Sequence, residues 1–266
     1  MSFSVSLAAL AALSAAFLAL WSVQRRTRNA GIVDVAWAAS IGALALLHGL
    51  FGDGWGPRRV LVTALAVAWS ARLTLHLWRR VGRESEDGRY AEMRRSLGAR
   101  FDRVMVWFFL AQALLAWLLA LPMAQLANVE LEGWRATDAL AVALFAASIV
   151  GESIADRQLA SWREDPANRG RTCRAGLWRV SRHPNYFFEW VHWLVYPVLA
   201  IGTPWGWLLW LAPLAMLLLV TKVTGIPPTE AQSLRSRGDD YRDYQRTTSA
   251  FFPWPPRTEA HATDRA

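Results

Sequence analysis

The sequence predicts an all-α integral membrane protein of seven transmembrane helices, with its N-terminus outside and its C-terminus cytoplasmic. Three observations predict it. Of 266 residues, 54% are hydrophobic, 16 are Trp and only 19% are charged, a balance too apolar for most soluble chains of this size. Runs of about 20 largely apolar residues, the length a helix needs to cross the bilayer core, recur along the chain between charge, Gly or Pro. Arginines concentrate in alternate connections, the asymmetry that orients membrane helices.

The runs lie at Phe3 to Val23, Gly31 to Phe51, Arg59 to Trp78, Val104 to Leu126, Asp138 to Ile154, Tyr186 to Gly202 and Trp205 to Val223. The first lacks a basic stretch before it and is followed by Arg25, Arg26 and Arg28, so it reads as a retained helix and not a signal peptide. Eight arginines run from Arg79 to Arg103 and seven from Arg157 to Arg182, which places those connections in the cytoplasm, whereas 52–58 and 128–137 are shorter and less basic. Only Thr203-Pro204 separates the last two runs, which implies a tight antiparallel pair. No internal repeat is visible, which argues against an inverted-repeat transporter. One membrane domain over 1–256 with a disordered tail at 257–266 is the simplest division.

The net charge of +8 is mostly arginine beside apolar runs, which suits anionic headgroups and excludes no function class except that no nucleic-acid module stands out. Cys173 is the single cysteine, so no intrachain disulfide framework exists, and no His/Cys set has metal-ligand spacing.

Ionisable residues at membrane depth are costly and mark candidate sites. Asp34, in Gly31-Ile-Val-Asp-Val-Ala-Trp37, could act as a hydrogen-bonding or proton-donating acid, or could be an interfacial aspartate paired with Arg28 or Arg72. His76 stands in the last turn of the third run; His48 and His192 read as structural. The loop from Arg83 to Tyr90 puts Glu86, Asp87, Arg89 and Tyr90 on the cytoplasmic face, where they could complete a cofactor pocket or be merely solvated. Past the fifth run, Glu152, Asp156, Leu159 and Arg163 share one helix face, as a salt-bridged ladder or as Asp156 holding a ribose or nicotinamide amide while Arg163 reaches a phosphate. Asn168, Arg169, Arg171 and Arg174 follow.

The densest polar stretch runs from Gly176 to Trp190. Pro184 disfavours helix at His183 and suits a first turn, so a helix opens there, and its free amides with Arg182, Asn185 and Tyr186 make a natural anion site or an ordinary juxtamembrane cap. After Gly225-Ile-Pro-Pro228, Thr229 can cap a short helix bearing Glu230. The aromatic and proline-rich 241–256 reads as a lid folded back on the chain, or as an interfacial belt.

Taken in order, Val33-Asp-Val-Ala-Trp37, Glu86-Asp-Gly-Arg-Tyr90, Asp156-Arg-Gln158, Gly176-Leu-Trp-Arg-Val-Ser-Arg-His-Pro-Asn-Tyr186 and Tyr241 to Pro255 resemble the bacterial branch of the steroid 5-alpha-reductase family, the membrane 3-oxo-5-alpha-steroid 4-dehydrogenases, over roughly Asn29 to Pro256. Isoprenylcysteine carboxyl methyltransferases and sterol C14 reductases share the Arg-His-Pro-Asn-Tyr piece. The resemblance implies a seven-helix bundle with NADPH bound from the cytoplasmic side and a steroid or isoprenoid lipid entering from the bilayer. It implies Asp156 and Asn185 as cofactor contacts, Arg163, Arg171, Arg174, Arg179 and Arg182 as phosphate ligands, and His183, Tyr186, Glu189, Glu230 and Tyr244 around that pocket. Glu230 stands where the animal enzymes carry a histidine. Their glutamate and tyrosine at the steroid carbonyl are not plainly present, and Asp34 with His76 or Tyr90 is the nearest counterpart.

Hydride addition to a conjugated enone needs donors facing the carbonyl oxygen in a dry cavity, a part that a neutral Asp34 would serve. The resulting expectation is an NADPH-dependent reductase acting as a monomer in the bacterial inner membrane, on membrane-borne lipid and not on nucleic acid. An S-adenosylmethionine-dependent methyltransferase is the rival enzyme reading, disfavoured because its cofactor carries no phosphate for the arginines. A lipid-binding scaffold is the non-enzymatic one.

Overall fold

The computed structural model describes residues 3–83 and 86–257. The tail expected to be disordered lies, from 258 onward, outside the described residues, as do Glu84 and Ser85 of the 83–90 loop. Among the described residues the chain is helical with no strand: α1 (Phe3–Thr27), α2 (Ile32–Phe51), α3 (Gly56–Arg83), α4 (Gly88–Leu97), α5 (Phe101–Leu126), α6 (Ala136–Glu164), α7 (Pro184–Trp193), α8 (Val195–Leu199), α9 (Leu211–Leu218), α10 (Ile226–Arg237) and α11 (Asp239–Thr247). Six helical stretches among them are long and apolar enough to cross a membrane.

The difference from the expected seven lies at 186–202. The helix that opens at Pro184 ends at Trp193 and restarts at Val195. Pro197 explains the break: it has no N–H for the Trp193 carbonyl, and its ring crowds the same group. The last apolar run is also irregular. A 3₁₀ stretch (Gly206–Trp210) leads into α9, which runs into a π-helical turn (Leu219–Val223) closed by Thr224 N–H donating to Leu219 O at 2.8 Å. Gly225 follows because a Cβ there would lie 2.6 Å from Val220 O and 2.9 Å from its Cα. The helix restarts at Ile226, so Thr229 lies inside α10 and does not cap it, contrary to the sequence expectation.

Within the range read as one membrane domain, the chain packs as two compact units, Met1–Ala136 with Leu199–Gly206, and Thr137–Val198 with Trp207–Ala266. In the first unit α2 is the central helix, packed on α3 and α5. Its residues Ala38, Gly42, Ala45 and Gly49 form a stripe of small side chains. A Cβ on Gly42 would lie 2.3 Å from Ser70 Oγ, and one on Gly49 2.0 Å from Thr63 Oγ1. The stripe lets the α2 and α3 backbones approach closely, which is how helices associate where burying apolar surface gains little. Ser70 Oγ donates to Ala38 O at 2.7 Å across that seam.

In the second unit α7 packs on α9, and Trp190 Nε1 donates to Pro213 O at 3.0 Å. The Phe188 ring fills the space over Gly151 of α6, where a Cβ would lie 2.3 Å from it. The 248–256 strap folds back as expected: Ser181 Oγ donates to Phe251 O at 2.8 Å, Trp254 N–H donates to Val180 O at 2.9 Å, and Phe251 and Phe252 pack edge-on against Phe187 and Trp190.

Candidate functional site

In the first unit, the segment Glu86-Asp-Gly-Arg-Tyr90 is not the open loop that its composition suggests. Asp87 accepts the Arg89 N–H at 2.9 Å as the N-cap of α4, and the segment then grips the start of α2 at two places one turn apart. Glu86 Oε1 accepts the Ala30 N–H at 3.0 Å, while Arg94 holds the same carboxylate by a two-pronged contact at 2.7 and 2.9 Å. One turn on, Tyr90 Oη donates to Asp34 Oδ1 at 2.7 Å and Arg89 Nη2 donates to Asp34 Oδ2 at 3.0 Å.

Asp34 therefore pairs with Arg89 and Tyr90, which corrects the sequence alternative of Arg28 or Arg72. The reason is the grip itself, which sets α4 against the first turn of α2. One guanidinium and one phenol thus donate to the two oxygens of the Asp34 carboxyl and fix its orientation.

Asp34 looks into a cleft shared with Asn29, Gly31, Asp87 and the Arg80, Leu77 and Val81 side of α3. The cleft has room for about one ordered water. Burial alone would raise the Asp87 carboxyl, but the charge of Arg89, that residue's hydrogen bonds and the charge of Arg80 outweigh it and hold the group below its ordinary value. Tyr90, 3% exposed, stands behind Asp34 in a core of Phe17, Val33, Phe101, Met105 and Phe109. Its place is that of a brace on Asp34, not a group facing the cleft. His76 is exposed and absent from the cleft lining, although its neighbour Leu77 is part of it. His76 lies one turn short of Arg80 and does not reach the cleft, where Asp34 is held by Arg89 and Tyr90 instead.

In the second unit, Glu230 is the hub. Its Oε1 accepts from Arg182 Nε at 2.6 Å and Tyr241 Oη at 3.3 Å and meets His183 Nε2 at 3.2 Å, while Gln245 Nε2 donates to Oε2 at 2.7 Å. Arg182 also donates to the carbonyls of Gln245 and Thr248, at 3.0 and 2.6 Å. Burial pushes the His183 imidazole below its ordinary value, outweighing the hydrogen bond and charge of Glu230. Tyr244, 1% exposed, donates its hydroxyl to Trp178 O and Ser181 O. These contacts make Arg182, His183, Glu230 and Tyr244 the struts that pin α10, α11 and the strap to the start of α7.

The remaining candidates are placed differently. Arg163, Arg171 and Arg179 are exposed, and Arg174 is exposed with contacts to Asp240 at 2.6 and 3.3 Å. Asn185 is half-buried in the first turn of α7, and Tyr186 stacks on His183 with ring centres 5.3 Å apart while its hydroxyl meets Thr229 Oγ1 at 3.2 Å. Asp156 is half-buried on α6, and Glu189 accepts from Trp193 Nε1 at 3.2 Å. Sequence reasoning missed Asn29, Arg80 and Gln245. Arg80 carried a signal, being one turn beyond His76 at the charged end of an apolar run.

Several polar atoms test whether a phosphorylated dinucleotide such as NADPH suits this unit. Trp162 Nε1, Thr172 Oγ1 and Arg237 Nε are buried and meet no hydrogen-bond partner; Trp162 and Thr172 belong to the stretch that also carries Arg163, Arg171 and Arg174, and Arg237 ends α10. Donors without acceptors beside exposed guanidinium groups fit an anionic ligand.

A protein-family profile described as "Protein of unknown function (DUF1295)" matches residues 20–248. A protein of Schizosaccharomyces pombe (strain 972 / ATCC 24843) printed as "Uncharacterized protein C594.04c" is 30% identical over 266 residues, covering 88% of this chain and 75% of its own. No solved structure matches.

Proposed function

Since the chain belongs to the DUF1295 family, whose description assigns no activity, we propose from its residues that it is an NADPH-dependent membrane reductase of a conjugated C=C bond in a 3-oxo steroid or similar isoprenoid lipid. The observation that carries the reading is the Asp34, Arg89 and Tyr90 cluster, a fixed charge arrangement opening on a cleft at the end of otherwise apolar helices. The resemblance to the steroid 5-alpha-reductase family supports it through Val33-Asp-Val-Ala-Trp37 and Glu86-Asp-Gly-Arg-Tyr90, the two motifs that make this cluster.

NADPH, when bound, supplies a hydride for the β carbon of the enone. Negative charge then grows on the carbonyl oxygen, and Arg80, at the cleft wall, offers N–H donors to stabilise it. Asp34, held by Arg89 and Tyr90, orients the cleft water from which the α carbon draws its proton. Asp87 holds Arg80 and Arg89 in place. Arg163, Arg171, Arg179 and Asn185 are the dinucleotide contacts that the family resemblance implies. Lipid-facing Leu and Trp side chains on the helices give an apolar substrate a route from the bilayer.

We read the broken α7 and α8 as completing a seventh crossing of a bacterial inner membrane. The N-terminus is then outside and the arginine-rich connections are cytoplasmic, where soluble cofactor is available.

Purified protein in mild detergent is expected to gain thermal stability with NADPH and not with S-adenosylmethionine, and to oxidise NADPH when given progesterone. Asp34→Asn should keep the thermal shift and lose at least roughly tenfold in turnover. Stabilisation by the methyl donor alone would move the chain to the methyltransferase reading, and absence of any nucleotide effect would leave the lipid-binding one.

A further inference from the structure

In the first unit, the turn between α1 and α2 is fastened at Arg28, Ala30 and Gly31, and one side-chain amide is left over. Arg28 stands in the left-handed region at φ 57°, and its N–H donates to Gln24 O at 2.8 Å. Asn29 Oδ1 accepts the Gly31 N–H at 3.0 Å, and Glu86 Oε1 accepts the Ala30 N–H at 3.0 Å. Gly31 lies so close to α3 that a Cβ there would stand 3.0 Å from Val81 Cγ2 and 3.1 Å from Asn29 Oδ1. Asn29, Gly31 and Val81 therefore meet at one edge of the cleft that Asp34, Arg80 and Asp87 also line.

A backbone N–H can only donate, so the Asn29 atom facing Gly31 is its carbonyl oxygen, and the planar amide carries its NH2 group on the other branch. Among the described residues no acceptor meets that NH2 group. The carboxyl groups of the cleft are already matched: Asp34 accepts from Arg89 and Tyr90, and Asp87 accepts from Arg89 and pairs with Arg80. What Asn29 lacks is an acceptor oxygen, and a ligand in the cleft can supply it. Two carboxyl groups on the lining against one guanidinium disfavour an anion there, so the oxygen that suits the amide is a neutral one, such as a carbonyl.

We propose that Asn29 is a substrate contact, its side-chain NH2 donating to the carbonyl oxygen of the lipid from the α1–α2 turn, and that by this bond the cleft selects lipids that carry an oxo group. A donor aimed at that oxygen holds the ketone and holds more tightly the negative charge that grows on it during reduction. That the carbonyl belongs to an enone to be reduced rests on the reductase reading; the amide's need for a neutral acceptor oxygen does not.

Competition against tritiated progesterone on the detergent-purified full chain, with NADP+ present so that no turnover occurs, reads the contact apart from the reaction. Wild type is expected to bind progesterone at least roughly tenfold tighter than the same steroid lacking its 3-oxo oxygen. Asn29→Asp keeps an acceptor for the Gly31 N–H but has no N–H of its own, and should cut that ratio by at least roughly fivefold. Asn29→Ser, whose hydroxyl can accept from Gly31 and still donate, should keep part of it. Asn29→Ala loses both bonds and should lower the melting temperature as well as the ratio. Because the two ligands are compared on the same folded protein, it carries the test if Asn29→Asp fails to fold. In turnover with NADPH, Asn29→Ala is expected to lower kcat at least roughly tenfold with a smaller change in KM. A ratio that survives in Asn29→Asp and Asn29→Ala overturns the contact, whatever the turnover. A ratio that falls in them, in a protein that never oxidises NADPH, keeps the contact and removes the reductase reading. Wild type that binds both steroids alike, or neither, leaves only ordered water at the amide and ends the proposal.

Discussion

Asp34 shows how a single residue's chemistry is set by what grips it. A guanidinium and a phenol both donate to it, so its two oxygens are held in place. At His183, burial favours the neutral form over the pull of Glu230, and the charges of Arg182 and Arg237 add to the same side. Its value in the folded chain is below the ordinary 6.5, so between the two values the unfolded chain binds more protons than the folded one, and stability falls as pH drops below about 6.5. Thermal unfolding followed from pH 8 to pH 5 is expected to show this decline, and His183→Gln to flatten it. A decline of the same size in the variant would assign it to other groups.

At the scale of elements, two devices organise the chain. One is the small-residue stripe of α2, which lets α3 approach until Ser70 bonds to the α2 backbone. Gly42→Val is expected to push Ser70 away and to lower stability by about 1–3 kcal/mol, read as a drop in melting temperature, whereas Ala at the lipid-facing position Leu46 should change little. Equal effects of the two would show that the seam tolerates bulk. The other device is the pair of chain segments, Glu86 to Tyr90 and the 248–256 strap, that look irregular in sequence but fasten helix ends. The first becomes the N-cap and opening turn of α4; the second is held by Arg182, Ser181 and Val180.

For the whole molecule, the arginine asymmetry makes an orientation that labelling can read. Cys173 is 2% exposed, so it should stay silent to a membrane-impermeant maleimide and leave a clean background. Glu132→Cys, in the connection before α6, is expected to react in intact cells, and Ser96→Cys on α4 only after permeabilisation. Reaction at position 96 from outside would invert the topology and place the Asp34 cleft on the wrong face for soluble cofactor.

Helix content, the apolar spans and the two motifs at 33–37 and 86–90 were legible in the sequence, because apolar length, proline and glycine act locally along the chain. The break between α7 and α8 was legible in principle from Pro197. Tyr90 was named beside Asp34 through the family resemblance, but Arg89 was not, since it lies more than fifty residues away and is brought to Asp34 by the grip of Glu86 on Ala30. Nor was the bracing of α10, α11 and the strap by Arg182, Glu230 and Tyr244, because a polar residue's partners depend on which donors and acceptors surround it. By itself the sequence determined where the long apolar helices lie and which chemistries are present. Only the tertiary structure decided which of those polar groups are already matched to one another, and hence which remain for a ligand, because hydrogen-bond satisfaction is a property of contacts between distant segments and not of composition.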